Sequence, residues 1–513
     1  MLSALIWIPV LGAVVMGVWG GGSSKRARVL ALVVAGISLL WSVVLASQFD
    51  AGQGGPQLQE SLRWIAPLGL SYKLSLDGLS LPLVAINSLL TWIAIYSSDE
   101  TIQRPRLYYT LILLINSGVA GAFLAQNLLL FFLFYELELI PLYLLIAIWG
   151  GARRGYAATK FLIYTAVSGI LILAAFLGLS ALSGSSSFNY EPSLTQALPL
   201  GQQMLLLGVV IVGFGIKIPL VPFHTWLPDA HVEASTPVSV LLAGVLLKLG
   251  TYGLLRFGLG LFPEAWEVWA PWLASWAVVS VLYGAFTAIA QKDMKQMVAY
   301  SSIAHMGYVL LACAAATPLS ILGTVFQMIS HGLISALLFL LVGVVYKKTG
   351  SRDLNSLRGL LNTERGLPLI GSLMVLGVMA SAGIPGMVGF ISEFLVFRGS
   401  FPIFPTQTLL CMIGTGLTSV YFLLLVNNTF FGRLAIPRQG TNSLGDVNLP
   451  PVQWVERTPA IALAVLIVVL GLRPGWMVRW SETATTALAA NPTVAHLSVV
   501  ANRSDTVPQE WQQ

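Results

Sequence analysis

Long apolar runs alternate with short polar connectors along the whole chain. Because an α-helix rises about 1.5 Å per residue, roughly 20 consecutive apolar residues cross the hydrocarbon core of a bilayer. The predicted fold class is therefore an all-α polytopic membrane protein. The pattern predicts about 14 spans, at residues 2–19, 29–47, 78–97, 107–125, 128–148, 158–182, 201–222, 237–256, 266–290, 297–316, 319–345, 368–397, 408–431 and 458–478.

The two ends of the chain differ in character. The first apolar run has no basic stretch before it and no small-residue cleavage pattern, so we predict that it remains as a helix and is not removed as a signal. The last span is followed by a polar tail over residues 481–513, which we expect to be exposed or docked on a partner.

The composition supports the same class. Of 513 residues, 56% are hydrophobic and 9% are charged, and the mean hydropathy is +0.81, whereas roughly a quarter of the residues of a soluble protein are charged. So few charges exclude a soluble enzyme, a disordered chain and a nucleic-acid binder. The net charge of +6 is therefore informative mainly about topology.

The basic residues are distributed unevenly between the two faces. Most of the 27 Lys and Arg residues lie in loops that follow odd-numbered spans. The positive-inside rule places those loops in the cytoplasm, so both termini are expected on the opposite face. The most basic of these loops follows span 11 and contains Lys347, Lys348, Arg352, Arg358 and Arg365.

The sequence predicts no cofactor or metal site in this chain. Its two cysteines, Cys313 and Cys411, are too few for an iron–sulfur cluster, which needs about four thiolates, and too few for a disulfide framework. Motifs for a nucleotide, a flavin or a catalytic zinc ion are not found.

Two lysines fall inside predicted spans. Pro219 and Pro222 follow Lys217 and break its helix, and broken helices at membrane depth are tolerated where they line a cavity. Lys248 lies near the middle of its span, where a charge costs about 2.5–3.5 kcal/mol on insertion scales. We predict that both lysines face a wet ion pathway; for Lys217, a side chain reaching to the interface is the alternative.

Three glutamates also lie at membrane depth. Glu136 is flanked by apolar residues, and we predict that it is buried and either pairs with a cation or takes a proton. Glu138 points to nearly the opposite helix face, because it lies two residues further on; a structural role is as plausible for it as a functional one. Glu393 follows a second break, at residues 383–386.

The positions of the two breaks predict a repeated architecture. They fall in the seventh and twelfth spans, five apart, which indicates two five-helix units of opposite topology. The predicted units are an N-terminal region at 1–106, the two inverted repeats at 107–256 and 257–431, and a last span with the polar tail at 432–513.

Five histidines complete the set of titratable candidates. His305 and His331 lie in adjacent spans and are predicted to relay protons, although buried histidines are often purely structural. The loop that contains His224, Asp229 and His231 is predicted to be a turn at the cytoplasmic surface for the most part. A metal site and a proton entrance are its alternatives, and Asp229 is the residue we expect to act as an entrance carboxylate.

Together these residues predict a proton pathway. A water-bridged line from Glu136 through Lys217, Lys248 and the two relay histidines to Glu393 would carry protons along the middle of the membrane. Since no redox site is predicted in this chain, the energy has to come from a partner.

Several motifs then connect the chain to a known family. The sequence resembles the antiporter-like membrane subunits of respiratory and photosynthetic complex I, and among them the D-type subunits of cyanobacterial and chloroplast NDH-1. The motifs are FGIKIP at 214–219, HTWLPDAH at 224–231, AGVLLK at 243–248, AYSSIAHMG at 299–307 and QMISHGL at 327–333.

The resemblance implies a role for each matching residue. Lys217 and Glu136 match the family's lysine–glutamate pair, Lys248 its central lysine and Glu393 its exit glutamate. The relay histidines match His305 and His331. The chain departs from the family at Tyr135, where the usual residue is Trp, so the packing around the pair is expected to differ.

The resemblance also implies a complex. It predicts a subunit of a proton-translocating ferredoxin or NAD(P)H–plastoquinone oxidoreductase in the thylakoid membrane, with F-type and B-type membrane subunits and a peripheral arm as partners. Plastoquinone and iron–sulfur clusters are expected in those partner subunits.

Three alternatives remain open. Tyr135 and the polar tail favour the variant that takes part in carbon dioxide uptake, which would add a carbon dioxide hydration subunit. A sodium/proton antiporter subunit of the Mrp type shares the lysine and glutamate motifs. A scaffold subunit that has lost proton conduction is the third alternative.

Overall fold

The computed structural model describes residues 1–19, 23–438, 441–445 and 449–490. These residues form a bundle of helices with two short β-hairpins. The helices are α1 (Ser3–Trp19), α2 (Ser24–Gln48), α3 (Ser80–Tyr96), α4 (Pro105–Leu124), α5 (Leu128–Leu137), α6 (Leu139–Trp149), α7 (Arg154–Ser183), α8 (Ser193–Gln196), α9 (Leu200–Lys217), α10 (Trp226–Glu233), α11 (Thr236–Leu241), α12 (Leu247–Gly253), α13 (Pro263–Ile289), α14 (Met294–Ala315), α15 (Pro318–Thr349), α16 (Pro368–Ser381), α17 (Val388–Ser400), α18 (Pro405–Phe430), α19 (Trp454–Leu472) and α20 (Gly475–Ala489).

The fold class is confirmed. In the described part of the chain, 11 helical segments are long and apolar enough to cross a membrane, and α1, α3 and α16 are shorter apolar helices. Each of these segments overlaps one of the predicted spans, and α16 covers only the first half of the predicted span at 368–397.

Both predicted helix breaks are present. The seventh span stops at Lys217, and a turn through Pro219 leads to α10. Tryptophan side chains supply donors at this break: the Trp226 indole donates to the carbonyl of Ile216 at 2.9 Å, and the Trp276 indole donates to the carbonyl of Val221. Backbone carbonyls at the break are therefore hydrogen-bonded inside the protein, as the low-dielectric interior requires.

The twelfth span is divided between α16 and α17. The chain turns at Gly383 (φ +70°) and Gly386 (φ +93°), a left-handed conformation that glycine adopts without steric cost. Beyond the turn, Gly389 lies directly against the carbonyl of Ala380, leaving no room for a Cβ atom. The two halves of the span therefore meet closely beside Glu393.

Two further spans deviate from regular helix. The fifth is interrupted at Glu138, between α5 and α6, because Pro141 has no N–H to donate to the carbonyl of Leu137. The eighth contains π-helical turns at Leu242–Leu246 and Leu254–Leu259, on either side of Lys248. Such turns are rare and are frequent at functional sites.

The hairpins add an element that we did not predict. Strands β1 (Gln57–Ile65) and β2 (Leu70–Leu76) pair antiparallel between α2 and α3, and β3 (Ile436–Arg438) pairs with β4 (Thr441–Gly445). Glu60 in β1 accepts hydrogen bonds from the backbone amides of Leu2 (2.7 Å) and Ser3 (3.1 Å). The carboxylate thus caps the positive end of the first helix.

The predicted polar tail begins later than we expected. Residues up to Ala489 form α20, with Ser481 and Thr485 buried, and Thr483 donates to the carbonyl of Ala51 at 3.0 Å. The rest of the predicted tail, from residue 491, lies outside the described residues.

A buried ion pair joins the first hairpin to the eighth span. Asp77, just after β2, pairs with Arg256, and both side chains are buried. Asp77 also accepts from the amides of Leu79 (3.1 Å) and Ser80 (3.0 Å). Burial disfavours the ionised carboxyl, but Arg256 and these hydrogen bonds outweigh that effect and lower the pKa of Asp77.

We predict that Asp77→Asn destabilises the protein, because Arg256 is then left buried without its carboxylate. Removing one partner of a buried pair costs about 3–5 kcal/mol, so the unfolding temperature in detergent should fall clearly. The matched control is Asp99→Asn, which removes an exposed pair with Lys347 and should cost less than about 1 kcal/mol. Equal effects of the two variants would contradict the assignment.

The same pair predicts a pH dependence. Since the folded-state pKa of Asp77 is lowered, its contribution to stability is complete above its ordinary pKa and is lost as the pH falls through the lowered value. The unfolding temperature of Asp77→Asn should therefore fall less than that of the parent protein on acidification. Parallel pH curves for the two proteins would argue against this contribution.

Candidate functional site

Lys217 forms a buried ion pair with Glu138. Lys217 is 1% exposed and Glu138 is 0% exposed, so neither charge can be solvated from outside the protein. Desolvation costs several kcal/mol per ion in this setting, which makes the pair necessary for either group to stay charged. A side chain of Lys217 reaching to the interface is therefore not what the structure shows.

The expected pairing of Lys217 with Glu136 is wrong. Glu136 is partly exposed and packs against Gly169 of α7, where no room remains for a Cβ atom. The two glutamates lie on different faces, as their spacing predicted, but the face that meets α9 is that of Glu138. The interruption after α5, which Pro141 favours, turns Glu138 toward Lys217.

Tyr135 completes the surroundings of the pair. Its ring centre lies 4.8 Å from Lys217 Nζ, within the range of a cation–π interaction. Its hydroxyl group lies 2.9 Å from Ser168 Oγ, which donates to the carbonyl of Gly213 at 2.7 Å. Because Tyr135 precedes Glu138 by three residues, both side chains lie on the helix face that meets Lys217.

Lys248 is fully buried and contacts a histidine. Its Nζ lies 2.8 Å from Nδ1 of His331 in α15 and also donates to the carbonyl of Ala243. That carbonyl belongs to the π-helical turn that precedes Lys248. An ammonium group has three donors and no acceptor, so a charged Lys248 requires His331 Nδ1 to be the acceptor.

A small polar cavity follows His331. The ring centres of His331 and His305 are 5.8 Å apart, and His331 Nε2 is buried with no hydrogen-bond partner among the described residues. Both histidines line a cavity of about 10 Å³ together with Ser330 and Gln327. That volume is about what one water molecule requires.

His305 connects this cavity to Glu393. Nε2 of His305 lies 3.1 Å from Ser381 Oγ at the break of the twelfth span, and Nδ1 lies 3.8 Å from Glu393 Oε1. Glu393 also accepts from Thr415 in α18 at 3.2 Å. The structure thus brings Lys248, His331, His305 and Glu393 into one buried series of contacts.

The helices that carry Lys217 and Lys248 are in contact. The two lysines are not hydrogen-bonded to each other in the part of the chain that the structure describes. Their helices meet at Gly250, where a Cβ atom would lie 2.8 Å from Ile218 Cγ1 and 3.2 Å from Lys217 Cβ. The buried residues therefore form two groups, one around Lys217 and one from Lys248 to Glu393.

The structure separates the three residues of the predicted entrance loop. Asp229 forms an ion pair with Lys160 at 2.7 Å. His224 is buried next to the Tyr283 ring. His231 is fully buried and stacks on Phe339, with ring centres 4.5 Å apart.

Some contact residues escaped the sequence reasoning. Ser381 and Thr415 are uncharged and common in membrane helices, so only their position beside His305 and Glu393 singles them out. Gln327, whose Nε2 lies 3.3 Å from His305 Nδ1, begins the motif at 327–333 but was not predicted as a site residue. Ser381 could have been predicted from its position, because it lies just before the second helix break. Among the described residues, no group of three or more metal-ligating side chains is found, and both cysteines are buried and free.

The fold and this buried series of ionisable residues define a class: polytopic membrane proteins of the antiporter-like type. A family model described as "NADH:quinone oxidoreductase/Mrp antiporter, TM" matches residues 125–418. NAD(P)H-quinone oxidoreductase chain 4 2 of Thermosynechococcus vestitus is 39% identical over 99% of this chain and 96% of its own length. Chain 4 1 of Synechococcus sp. (strain JA-2-3B'a(2-13)) is 41% identical over 95% of this chain and 92% of its own. The chain belongs to the NAD(P)H-quinone oxidoreductase chain 4 family, which confirms the resemblance seen in the motifs.

Solved structures agree with this assignment. A chain of respiratory complex I from Thermus thermophilus superposes with a TM-score of 0.86 at 28% identity, covering 96% of this chain and 100% of its own. A chain of the Mrp complex from Dietzia sp. DQ12-45-1b gives a TM-score of 0.85 at 22% identity, covering 98% and 99%. The second likeness concerns the fold alone.

We predict that a double-mutant cycle couples Lys217 more strongly to Glu138 than to Glu136. Unfolding temperatures of Lys217→Met, Glu138→Gln and the double variant should reveal an interaction of about 1–3 kcal/mol. The same cycle with Glu136→Gln is the matched control and should give less, because Glu136 faces α7. A larger coupling for Glu136 would overturn the pairing.

Proposed function

We propose that this chain is a proton-translocating subunit in the membrane arm of a ferredoxin or NAD(P)H–plastoquinone oxidoreductase of the NDH-1 type. Membership of the family indicates the complex to which the chain belongs, and the buried contacts indicate how protons would move through it. The observation that carries the proposal is the series from Lys248 through His331 and His305 to Glu393, which crosses from the eighth span to the twelfth at membrane depth.

Each step of the proposed transfer has a donor and an acceptor. A charged Lys248 gives its proton to Nδ1 of His331, and the Nε2 proton of His331 leaves through the cavity toward His305. His305 then passes a proton to the Glu393 carboxylate, which is the exit group. Imidazoles suit this task because they bind and release protons near neutral pH.

The pair of Lys217 and Glu138 would control the first part of the pathway. While the pair is closed, each charge stabilises the other; once it opens, both groups face a large desolvation cost and one must change its protonation state. Glu136, on the adjacent helix face, is the proposed partner of Lys217 once the pair with Glu138 has opened. Asp229, with His224, is a proposed uptake group at the surface.

The energy for uphill transport would come from partner subunits. We propose that this chain holds no redox cofactor and that plastoquinone and iron–sulfur clusters belong to those partners. F-type and B-type membrane subunits and a peripheral arm are the partners that the family suggests. The units 107–256 and 257–431 would act as two inverted halves around Lys248.

We propose a thylakoid location with a defined orientation. We call the side of the bundle that carries Lys347, Lys348 and Arg352 the basic face, and place it toward the cytoplasm or stroma. The N-terminus and the C-terminal tail would then lie on the lumenal side.

Two alternatives can be tested on the purified complex. The carbon dioxide uptake variant, favoured by Tyr135, would copurify with a carbon dioxide hydration subunit. A subunit of an Mrp-type antiporter would instead show sodium-dependent transport and no quinone-linked electron transfer; the chain 4 relatives argue against it.

We predict that Lys248→Ala, Lys217→Ala and Glu393→Gln each reduce proton translocation by about tenfold or more, because each removes a proton carrier or the charge that controls one, and a positioned carrier typically contributes about a hundredfold or more to transfer. Translocation is measured by dye quenching in vesicles that contain the assembled complex, with electron transfer followed in parallel. Lys25→Ala, at an exposed lysine, is the matched control and should leave both rates unchanged.

The scaffold alternative makes the opposite prediction. If the complex assembles in normal amounts and all three variants translocate protons at the parent rate, this chain is not a conducting subunit.

A further inference from the structure

A large crevice opens on the basic face between the N-terminal helices and the two repeats. It has a volume of about 610 Å³ and is lined by residues of α4, α6, α11, α15 and α19 as well as Lys295 at the start of α14. The crevice contains both polar and charged side chains, so water can enter it. Its position is distinct from that of Asp229 and Lys160, which do not line it.

Lys295 lies at the wall of this crevice and is buried. It is 5% exposed, and its Nζ donates to the carbonyl of Ala234 at 2.6 Å. The charged groups that act on it are Arg352, Asp293 and Glu233. Asp293 pairs with Arg352 at 3.2 Å, and the Nζ hydrogen bond of Lys295 goes to a backbone carbonyl.

A second buried base lies beyond Lys295. Ala234, which accepts from Lys295, follows His231 by three residues in the turn after α10. Both ring nitrogens of His231 are buried and have no hydrogen-bond partner among the described residues. Lys295 and Lys248 are both near enough to His231 for their charges to act on it.

We propose that this crevice, Lys295 and His231 form the uptake route that delivers protons from the basic face to Lys248. The inference rests on the proposed function and adds Lys295 as a proton carrier. Water in the crevice protonates Lys295, which passes the proton to a ring nitrogen of His231; His231 then releases the proton from its other nitrogen toward Lys248. This route, rather than Asp229, would deliver most of the protons to Lys248, and the pair of Lys217 and Glu138 would control the transfer through its charges without carrying a proton.

Lys295→Arg is the most informative variant. Arginine keeps the positive charge and can still donate to the carbonyl of Ala234, but its guanidinium group does not release a proton in proteins. We expect about a tenfold loss of proton translocation in an assembled complex that retains electron transfer. A merely structural role would be rescued by arginine, so parent-level translocation in Lys295→Arg would overturn the proposal.

A second experiment leaves Lys295 in place. Ser97→Cys introduces a thiol at the crevice wall, and a bulky maleimide attached there should block water access and reduce translocation by a similar factor. Thr363→Cys, exposed on another loop of the basic face, is the matched control, and the labelled parent complex accounts for thiols in partner subunits. Unchanged translocation after complete labelling of Ser97→Cys would overturn the route even if Lys295→Arg failed to assemble.

The two proposals can fail separately. If Lys248→Ala has no effect, the chain does not conduct protons and the proposed function fails. If Lys248→Ala abolishes translocation while Lys295→Arg and labelled Ser97→Cys translocate normally, only the uptake route is wrong.

Discussion

A charge inside a membrane protein must find its partner within the protein, because neither lipid nor bulk water can solvate it there. Most of the buried ionisable residues of this chain obey that constraint by contact with another span. Lys217 pairs with Glu138, Lys248 contacts His331, and Glu393 lies next to His305. These contacts connect the fifth span with the seventh, the eighth with the eleventh, and the tenth with the twelfth. The groups that carry the proposed chemistry therefore also connect helices that are distant in sequence.

Backbone N–H and C=O groups must likewise find their partners within the protein. This requirement explains where the helices are irregular. Proline or glycine interrupts the fifth, seventh and twelfth spans next to Glu138, Lys217 and Glu393, and π-helical turns flank Lys248. At the break of the seventh span, the indoles of Trp226 and Trp276 donate to backbone carbonyls, and the hydroxyl of Ser280 accepts from the amide of Val221. Irregular backbone and buried charge occur together because both need a polar environment that lipid does not provide.

Much of the candidate site followed from sequence because charged residues in apolar runs are conspicuous. Lys217, Lys248 and Glu393 were identified in this way, together with both helix breaks. The pairing of Lys217 with Glu138 was not predicted. The spacing of Glu136 and Glu138 shows that they lie on different helix faces, but not which face meets α9. Lys295 lies two positions before the predicted tenth span, so the span pattern places it in a loop; only the structure shows that it is buried and bonded to the turn after α10.

The amino-acid sequence by itself determined the membrane class, the approximate spans and the family, because hydrophobic length and a few rare motifs are local properties of the chain. Only the tertiary structure decided which carboxylate pairs with Lys217, which histidine contacts Lys248, and that a crevice reaches Lys295. Those outcomes depend on the rotation and approach of helices that are distant in sequence. They are set by the packing of many side chains at once, small residues such as Gly169 and Gly250 among them.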